Sequence, residues 1–493
     1  MKLHIKNSIS TLSAAVLIVA GTVTGSCTDD FDNINRDNNV PTSGNVSLQL
    51  NAQLRSIAFG QFDFNNGALL AHQIGKTNYN EIAQYSFGTA EYLWNSLYQN
   101  LVNIDDMINM AKKQEQPSAE AIGYILKAFC SSQLTDHWGN VPYSEAMQGS
   151  KNVYPKYDEQ QDIYTGEEGI IRLLQRADDL LATSKDQLPS DIIYEGNRMK
   201  WRKLANSLRL RYLIRISNRM DDVRAFDVKT QIADCMSKPL MESNEDNFQL
   251  RFLSDASNRC PIFNLRSGEF EVIRMSKELA DAMNAHNDPR KHVWFQPTPN
   301  SAASGKPVYD GVPNGCSSTT LQELNITQNN LSELGKIFTR PDAVYAVVMN
   351  AAEVKFLQAE AVAREWAAGD AGKLYTEGIT LSMRQWQIGD ANIQSYLNNP
   401  QNKYQSSKSL EMIMKEKWLA NFLVGYEGWY DFKRTGLPKQ KMPMDNRNPG
   451  GASLIPSRFY YPEAEQAVNK QQYDAAIQAQ GGTDNTNTKL WWE

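Results

Sequence analysis

"MNAAEVKFLQAEAVAREWAAGDAGKLYTEGITLSMRQW", residues 349–386, decides the fold. Asn350 followed three residues later by Glu353 reads as a variant of the capping box. Val354, Leu357 and Ala361 then recur at helical spacing and mark a buried stripe. "AAGDAG" ends that helix, and "KLYTEGITLSMRQW" makes the return. Ala359, Ala361 and Gly378 on the contact face let the two helices approach closely. The pattern is a helical hairpin of tetratricopeptide type, although no period of about 34 residues repeats strictly.

Helical periodicity extends in both directions. In "EYLWNSLYQNLVNIDDMI" (91–108) the apolar set Trp94, Leu97, Tyr98, Leu101, Ile104 and Ile108 keeps helical spacing. Pro117 breaks the pattern, and "AEAIGYILKAFCSSQL" begins a second helix that pairs with the first. "EEGIIRLLQRADDLLATS" and "KWRKLANSLRLRYLIRIS" give two more. The latter puts Trp201, Leu204, Leu208, Tyr212 and Ile216 on one face and many Arg on the other. "SLEMIMKEKWLANFL" is a further helix, followed by a Gly- and aromatic-rich turn. Residues 250–345 differ. They carry Pro261, Pro289, Pro297, Pro299, Pro307, Pro313 and Pro341, and helical periodicity survives only in patches such as "FEVIRMSKELADAMNAH". The expected fold is mainly α: tetratricopeptide-like hairpins with a long irregular, loop-rich subdomain packed on them. Long loops in compact domains usually carry function.

The N-terminus has its own logic. Lys2 and Lys6 precede the apolar run "AAVLIVA" (14–20), and small residues lead to Cys27. This is the layout of a secretory signal, with a run too short to span a membrane. Residues 1–26 are expected to be removed and Cys27 acylated. Thr24 departs from the usual lipobox, which has Leu there. Residues 27–45, acidic and Asn-rich, are expected to tether a single body over 46–493. Cleavage removes two lysines and no acids, so Lys and Arg fall from 50 to 48 against 56 Asp and Glu, and net charge is −8. Such a charge argues against nucleic acid as a partner. Cys130, Cys235, Cys260 and Cys316 permit disulfides without specifying a pairing. With no CxxC pair, a zinc site is not expected.

Catalytic signatures are missing: no HExxH, GxSxG, P-loop or GxGxxG occurs. His137 beside Asp136 in "TDHWGNVPYSE" has no nucleophile nearby in sequence and reads as a hydrogen-bonded structural corner. What remains is aromatic residues in loop-like contexts. Tyr79 and Tyr85 lie in a polar stretch, Trp294 and Phe295 follow "DPRKH", and Tyr309 lies in "GKPVYDGVPNG". Flat rings stack on the apolar faces of sugars, and peptides would use similar rings. These five are the candidate ligand-binding residues.

"LWNSLYQNLVNIDDMI", "DHWGNVPYSEAM", "MNAAEVKFLQAEAVAREW", "EKWLANFLVGYEGWYDFKRTGLP" and "SRFYYPEAEQAVNKQQYDAA", in this order and with Cys27 near the start, resemble the SusD/RagB family of Bacteroidetes. The likeness is to its SusD-like lipoprotein branch and covers most of the mature chain. It implies an outer-membrane lipoprotein facing the cell exterior, which binds a nutrient and acts as the lid of a SusC-like TonB-dependent transporter. Oligosaccharide is the expected cargo. A peptide-binding member of the same family, or a surface-anchored glycan hydrolase, is the alternative. The resemblance implies no catalysis and no cofactor beyond the lipid at Cys27; a structural calcium ion among the acidic loops stays open. In "GYEGWYDFKRTG", Gly425 and Gly428 are expected to allow a tight turn that Trp429 and Phe432 anchor. Arg434 and Arg458 are expected in structural ion pairs.

Overall fold

The periodic apolar faces become packed helical hairpins in a computed structural model that describes residues 45–493 except 63, 266, 267 and 452. The leader, Cys27 and the tether up to residue 44 lie outside the described residues. Among these, α1 (Val46–Gln61), α2 (Glu91–Lys113), α3 (Pro117–Trp138), α4 (Ile170–Thr183), α5 (Arg198–Arg215) and α6 (Val228–Met236) pack in succession. Trp94, Leu97, Leu101, Ile104 and Ile108 are buried along α2 as their spacing predicts. Pro117 opens α3 at its first turn, where a missing N–H costs nothing. The α2–α3 hairpin closes tightly at Gly123, where a Cβ would lie 2.4 Å from Ile108 Cγ1.

The second half repeats the scheme. α7 (Lys277–Ala285) belongs to the loop-rich region, whereas α8 (Ala351–Ala363) and α9 (Ala371–Gln385) form the hairpin of residues 349–386. Gly378 faces the Phe356 ring, and a Cβ there would stand 2.7 Å from it. Asn350 Oδ1 caps α8 by accepting the Glu353 N–H at 2.8 Å. The reciprocal half of the expected box is replaced. Both Glu353 carboxylate oxygens accept from Arg211 of α5, at 2.8 and 2.6 Å. α10 (Asp390–Asn398), α11 (Ser409–Ala420), α12 (Glu427–Thr435) and α13 (Lys470–Ala479) complete the longer helices.

Three two-stranded antiparallel sheets join the loops to this body. β1 (Ile74–Lys76) pairs with β5 (Ile273–Met275), β2 (Val141–Pro142) with β3 (Tyr157–Asp158), and β4 (Phe248–Arg251) with β6 (Tyr345–Met349). Residues 250–345 are, as expected, turns and short helices around α7. They hold a small apolar cluster of their own, Val312, Cys316, Leu321 and Leu331. "FEVIRMSKELADAMNAH" departs from one helical patch: it splits into β5 and α7, with the Ser276 hydroxyl accepting the Leu279 N–H at 3.0 Å.

The arginine face of α5 is not a solvated one. Arg209, Arg211 and Arg215 are all buried. Arg215 pairs with Asp136 at 2.8 Å and Glu427 at 2.6 Å, and Arg211 reaches Glu427 at 3.4 Å as well as Glu353. α5 is thus a central helix whose charges meet partners from α3, α8 and α12. In the "GYEGWYDFKRTG" segment, Arg434 binds Glu360 through two contacts of 2.6 and 2.8 Å. Arg458 binds Asp484 at 2.7 Å. Gly425 holds φ at +47° and its carbonyl oxygen approaches Gly67, where a Cβ would be 2.1 Å away. Trp429 is buried and Phe432 half-buried.

His137 is the structural corner that the sequence suggests. Its ring stacks on Phe459 and meets Tyr426 edge-on at 4.3 Å. The Tyr430 hydroxyl lies 3.0 Å from Nδ1. Burial lowers its pKa to about 3, against the pull of the Gln133 carbonyl and with help from Lys433 and Arg215. Cys130, Cys235, Cys260 and Cys316 are buried free thiols. Among the described residues, no helix is long and apolar enough to cross a membrane, and no group of three or more His, Cys, Asp or Glu could hold a metal ion.

Glu353→Ala strips Arg211 of its bidentate partner and should destabilise the protein by about 3–5 kcal/mol, read from urea unfolding. The paired change Arg211→Met with Glu353→Leu should cost far less, because it leaves no buried charge alone. His137 binds a proton in the unfolded chain near its ordinary pKa but not in the native one. Stability is therefore full above about pH 6.5 and falls as pH drops through that value toward 3, by up to about 1.4 kcal/mol per pH unit. His137→Gln should flatten this part of a stability-against-pH curve.

Candidate ligand-binding cleft

β5 is the centre of a layered set of strands and loops. Thr77 extends its pairing with β1 by donating to the Val272 carbonyl at 3.0 Å, and Val312 donates to the Met275 carbonyl at 2.9 Å. Met275 in turn donates to the Ser332 carbonyl at 3.0 Å. Gly75 permits this crowding, since a Cβ there would sit 2.2 Å from Val312 Cγ1. Beside β5 opens a cleft of about 620 Å³ whose wall includes Phe270, Glu271, Arg274, Gln328, Glu333 and Thr339.

A hydrogen-bonded network stiffens that wall. Arg274 is only 4% exposed. Its guanidinium donates to the Glu271 carbonyl at 2.6 Å, to the Ile273 carbonyl at 2.9 Å and to the Gln328 side-chain oxygen. Gln328 donates onward to the Thr77 hydroxyl at 3.1 Å. Glu333 lies 3.6 Å from Arg274, and the two residues also form a β-bridge. Burial lowers the Arg274 pKa, while Glu333 and Glu271 oppose that shift. A ligand here meets an amide, a hydroxyl, two carboxylates and one half-buried ring. That set suits orientation by hydrogen bonds more than covalent chemistry.

The five aromatic candidates fare unequally. Tyr79, two residues beyond Thr77, is 58% exposed. The other four are buried, which closes them to a ligand. Trp294 stacks on Phe422 with centroids 4.2 Å apart and meets Trp386 edge-on at 5.5 Å. Phe295 packs against the same Phe422. Tyr85 lies beneath the surface beside His72, and burial, with Glu278 adding to it, raises its pKa. Tyr309 shares a 2.8 Å hydrogen bond with His292 Nδ1. Trp294, Phe295 and Tyr309 share a physical reason: proline-rich loops have little periodic apolar surface, so their large rings are what docks them on the body. Sequence reasoning missed Phe270, Arg274, Gln328 and Glu333 because no local pattern brings 270–274 to 328–333; the bridge at Arg274 and its hydrogen bond to Gln328 do so.

The fold has many solved counterparts. A SusD homologue from Bacteroides fragilis superposes with a TM-score of 0.79 at 27% identity, covering 91% of this chain and 99% of that one. A SusD homologue from Bacteroides uniformis gives 0.74 at 25% identity over the same shares. A protein described as chitin-binding gives 0.79 at 26% identity, again over 91% and 99%. No curated protein matches the chain. A SusD-like family model, described as starch-binding associating with outer membrane, matches residues 39–462. With a family match over most of its length and hairpins, loops and body that superpose on SusD homologues, this chain belongs to the SusD-like family.

Proposed function

We propose that the protein is an acylated, surface-exposed glycan-binding component that holds an oligosaccharide at the β5 cleft and passes it intact to a SusC-like TonB-dependent transporter. The observation that carries this reading is the cleft itself: a preorganised polar wall braced from behind by Thr77, which lies two residues before the exposed Tyr79 in the chain. The chitin-binding counterpart favours sugar over peptide as cargo. Attachment would run through Cys27. One acyl chain holds only marginally, so the two or three chains of a bacterial lipoprotein supply a durable anchor. The tether raises the effective concentration of the body near its transporter. Closing the lid on the barrel completes the site from the other side, so each half needs only modest affinity. Bond cleavage is no part of this function. Incubation with plant and host polysaccharides should release no new reducing ends, which separates it from a surface-anchored hydrolase.

Isolated protein should bind its oligosaccharide between about micromolar and millimolar Kd in calorimetry. Nanomolar affinity would contradict a site shared with the transporter. Tyr79→Ala should weaken binding about three- to tenfold by removing one stacking face, with the unfolding midpoint unchanged. Trp294→Ala should do the reverse in kind. It should cost about 3–5 kcal/mol of stability, as expected for a ring deleted from the core. Affinity that survives Tyr79→Ala would remove that ring from the site.

A further inference from the structure

We propose that the β5 cleft sorts glycans by charge, favouring amine-bearing and uncharged chains over those that carry uronate or sulfate groups. The inference rests on the cleft being the glycan site. Among the described residues, the charged side chains in its wall are Glu271, Arg274 and Glu333. The single cation is already spent. Arg274 is buried; one terminal nitrogen donates to the Glu271 and Ile273 carbonyls, and the other to Gln328. Its Nε is enclosed without a partner and faces no open space. Among the described residues of the wall, no guanidinium fork is left to grip an incoming carboxylate or sulfate in the bidentate manner that such groups favour.

The anions are differently placed. Glu271 is exposed, and its carboxylate makes no ion pair with any other described residue. The Glu333 side chain keeps 43% of its surface exposed despite standing 3.6 Å from Arg274. Among the described residues of the wall, an anionic sugar would thus meet two carboxylates and no free cation, whereas a protonated amine would meet two partners. A pair of unit charges about 6 Å apart in water changes affinity by roughly threefold. Two carboxylates therefore give a selectivity of about three- to tenfold, which salt should erase.

The test uses four hexamers on the full soluble body: glucose, N-acetylglucosamine, glucosamine and galacturonate, titrated calorimetrically near pH 5.5, where carboxylates are ionised and sugar amines protonated. The glucosamine hexamer should bind about three- to tenfold more tightly than its N-acetylated counterpart in low salt, and about equally in roughly 0.5 M NaCl. The galacturonate hexamer should bind about three- to tenfold more weakly than the neutral glucose hexamer in low salt, a gap that closes in roughly 0.5 M NaCl. In the doubly substituted Glu271→Gln, Glu333→Gln protein, the ratio between the two amino-sugar hexamers should fall to about one, whatever the absolute affinities. Galacturonate binding that matches or exceeds that of the neutral hexamers, or a ratio unchanged in the double variant, overturns charge sorting while leaving a glycan site in place. Failure of every hexamer to bind overturns the glycan-site reading, and charge sorting falls with it.

Discussion

Where α3, α5, α8, α11 and α12 meet, the protein buries a lattice of opposite charges. Asp136, Glu353, Glu360, Glu427 and Asp431 supply the carboxylates, and Arg211, Arg215, Lys417 and Arg434 the cations. Taking such groups out of water costs several kcal/mol each, and only good geometry repays it. The geometry is good. Arg211 grips Glu353 and Arg434 grips Glu360 with both carboxylate oxygens engaged. Lys417 reaches Asp431 at 2.9 Å, and Trp492 and Tyr164 each donate to Asp136 at 2.7 Å. Compared with a well-packed apolar core, this lattice gains little stability. Its effect is on alternatives. Sliding any one of these helices by a turn would strand several charges at once.

That constraint is useful in this sequence because apolar packing alone discriminates poorly between hairpins. α5 is buried nearly all round, and α8 has apolar residues on every side. A helix without a distinct dry face gets little rotational guidance from hydrophobicity, which is non-directional. Arg211 and Arg215, one turn apart, fix both the rotation and the height of α5 against its neighbours. Small residues then set the distances: Gly123 against Ile108, and Gly378 against Phe356. The result is a rigid frame from which the 250–345 loops, and with them the β5 cleft, are hung.

The sequence made the frame readable and hid the site, for different reasons. Hairpins announce themselves through local spacing, so α2, α3, α8 and α9 were legible from Trp94 to Ile108 and from Asn350 to Trp386. The buried charges were not, because an Arg on α5 looks the same in sequence whether water or Glu353 awaits it. Asn350 and Glu353 show the ambiguity well. The cap forms, but tertiary demand from Arg211 takes the carboxylate that local logic had assigned to the backbone. The loops were harder still. Trp294, Phe295 and Tyr309 sit in polar, proline-rich contexts, and Tyr85 in a polar one without proline; all of these suggest exposure. In fact each is the anchor by which such a context stays folded. Arg274 and Gln328 are joined by a contact across 54 positions, which no periodicity encodes.

These observations bear on how a SusD-like scaffold can change cargo. The charged lattice and the stacked rings of Trp294 and Phe422 lie inside, and altering them disturbs the frame. The cleft wall is another matter. Glu271 and Thr339 are exposed, and the Glu271 backbone is held by a turn to the Gly268 carbonyl, whereas the Gln328 side chain is tied to Arg274 and Thr77. Arg274 is the one wall residue tied into the fold through three acceptors. It therefore marks the boundary between what must be kept and what is free to vary. Ligand preference can then be rewritten on one rim of the cleft while the helical frame remains as it is.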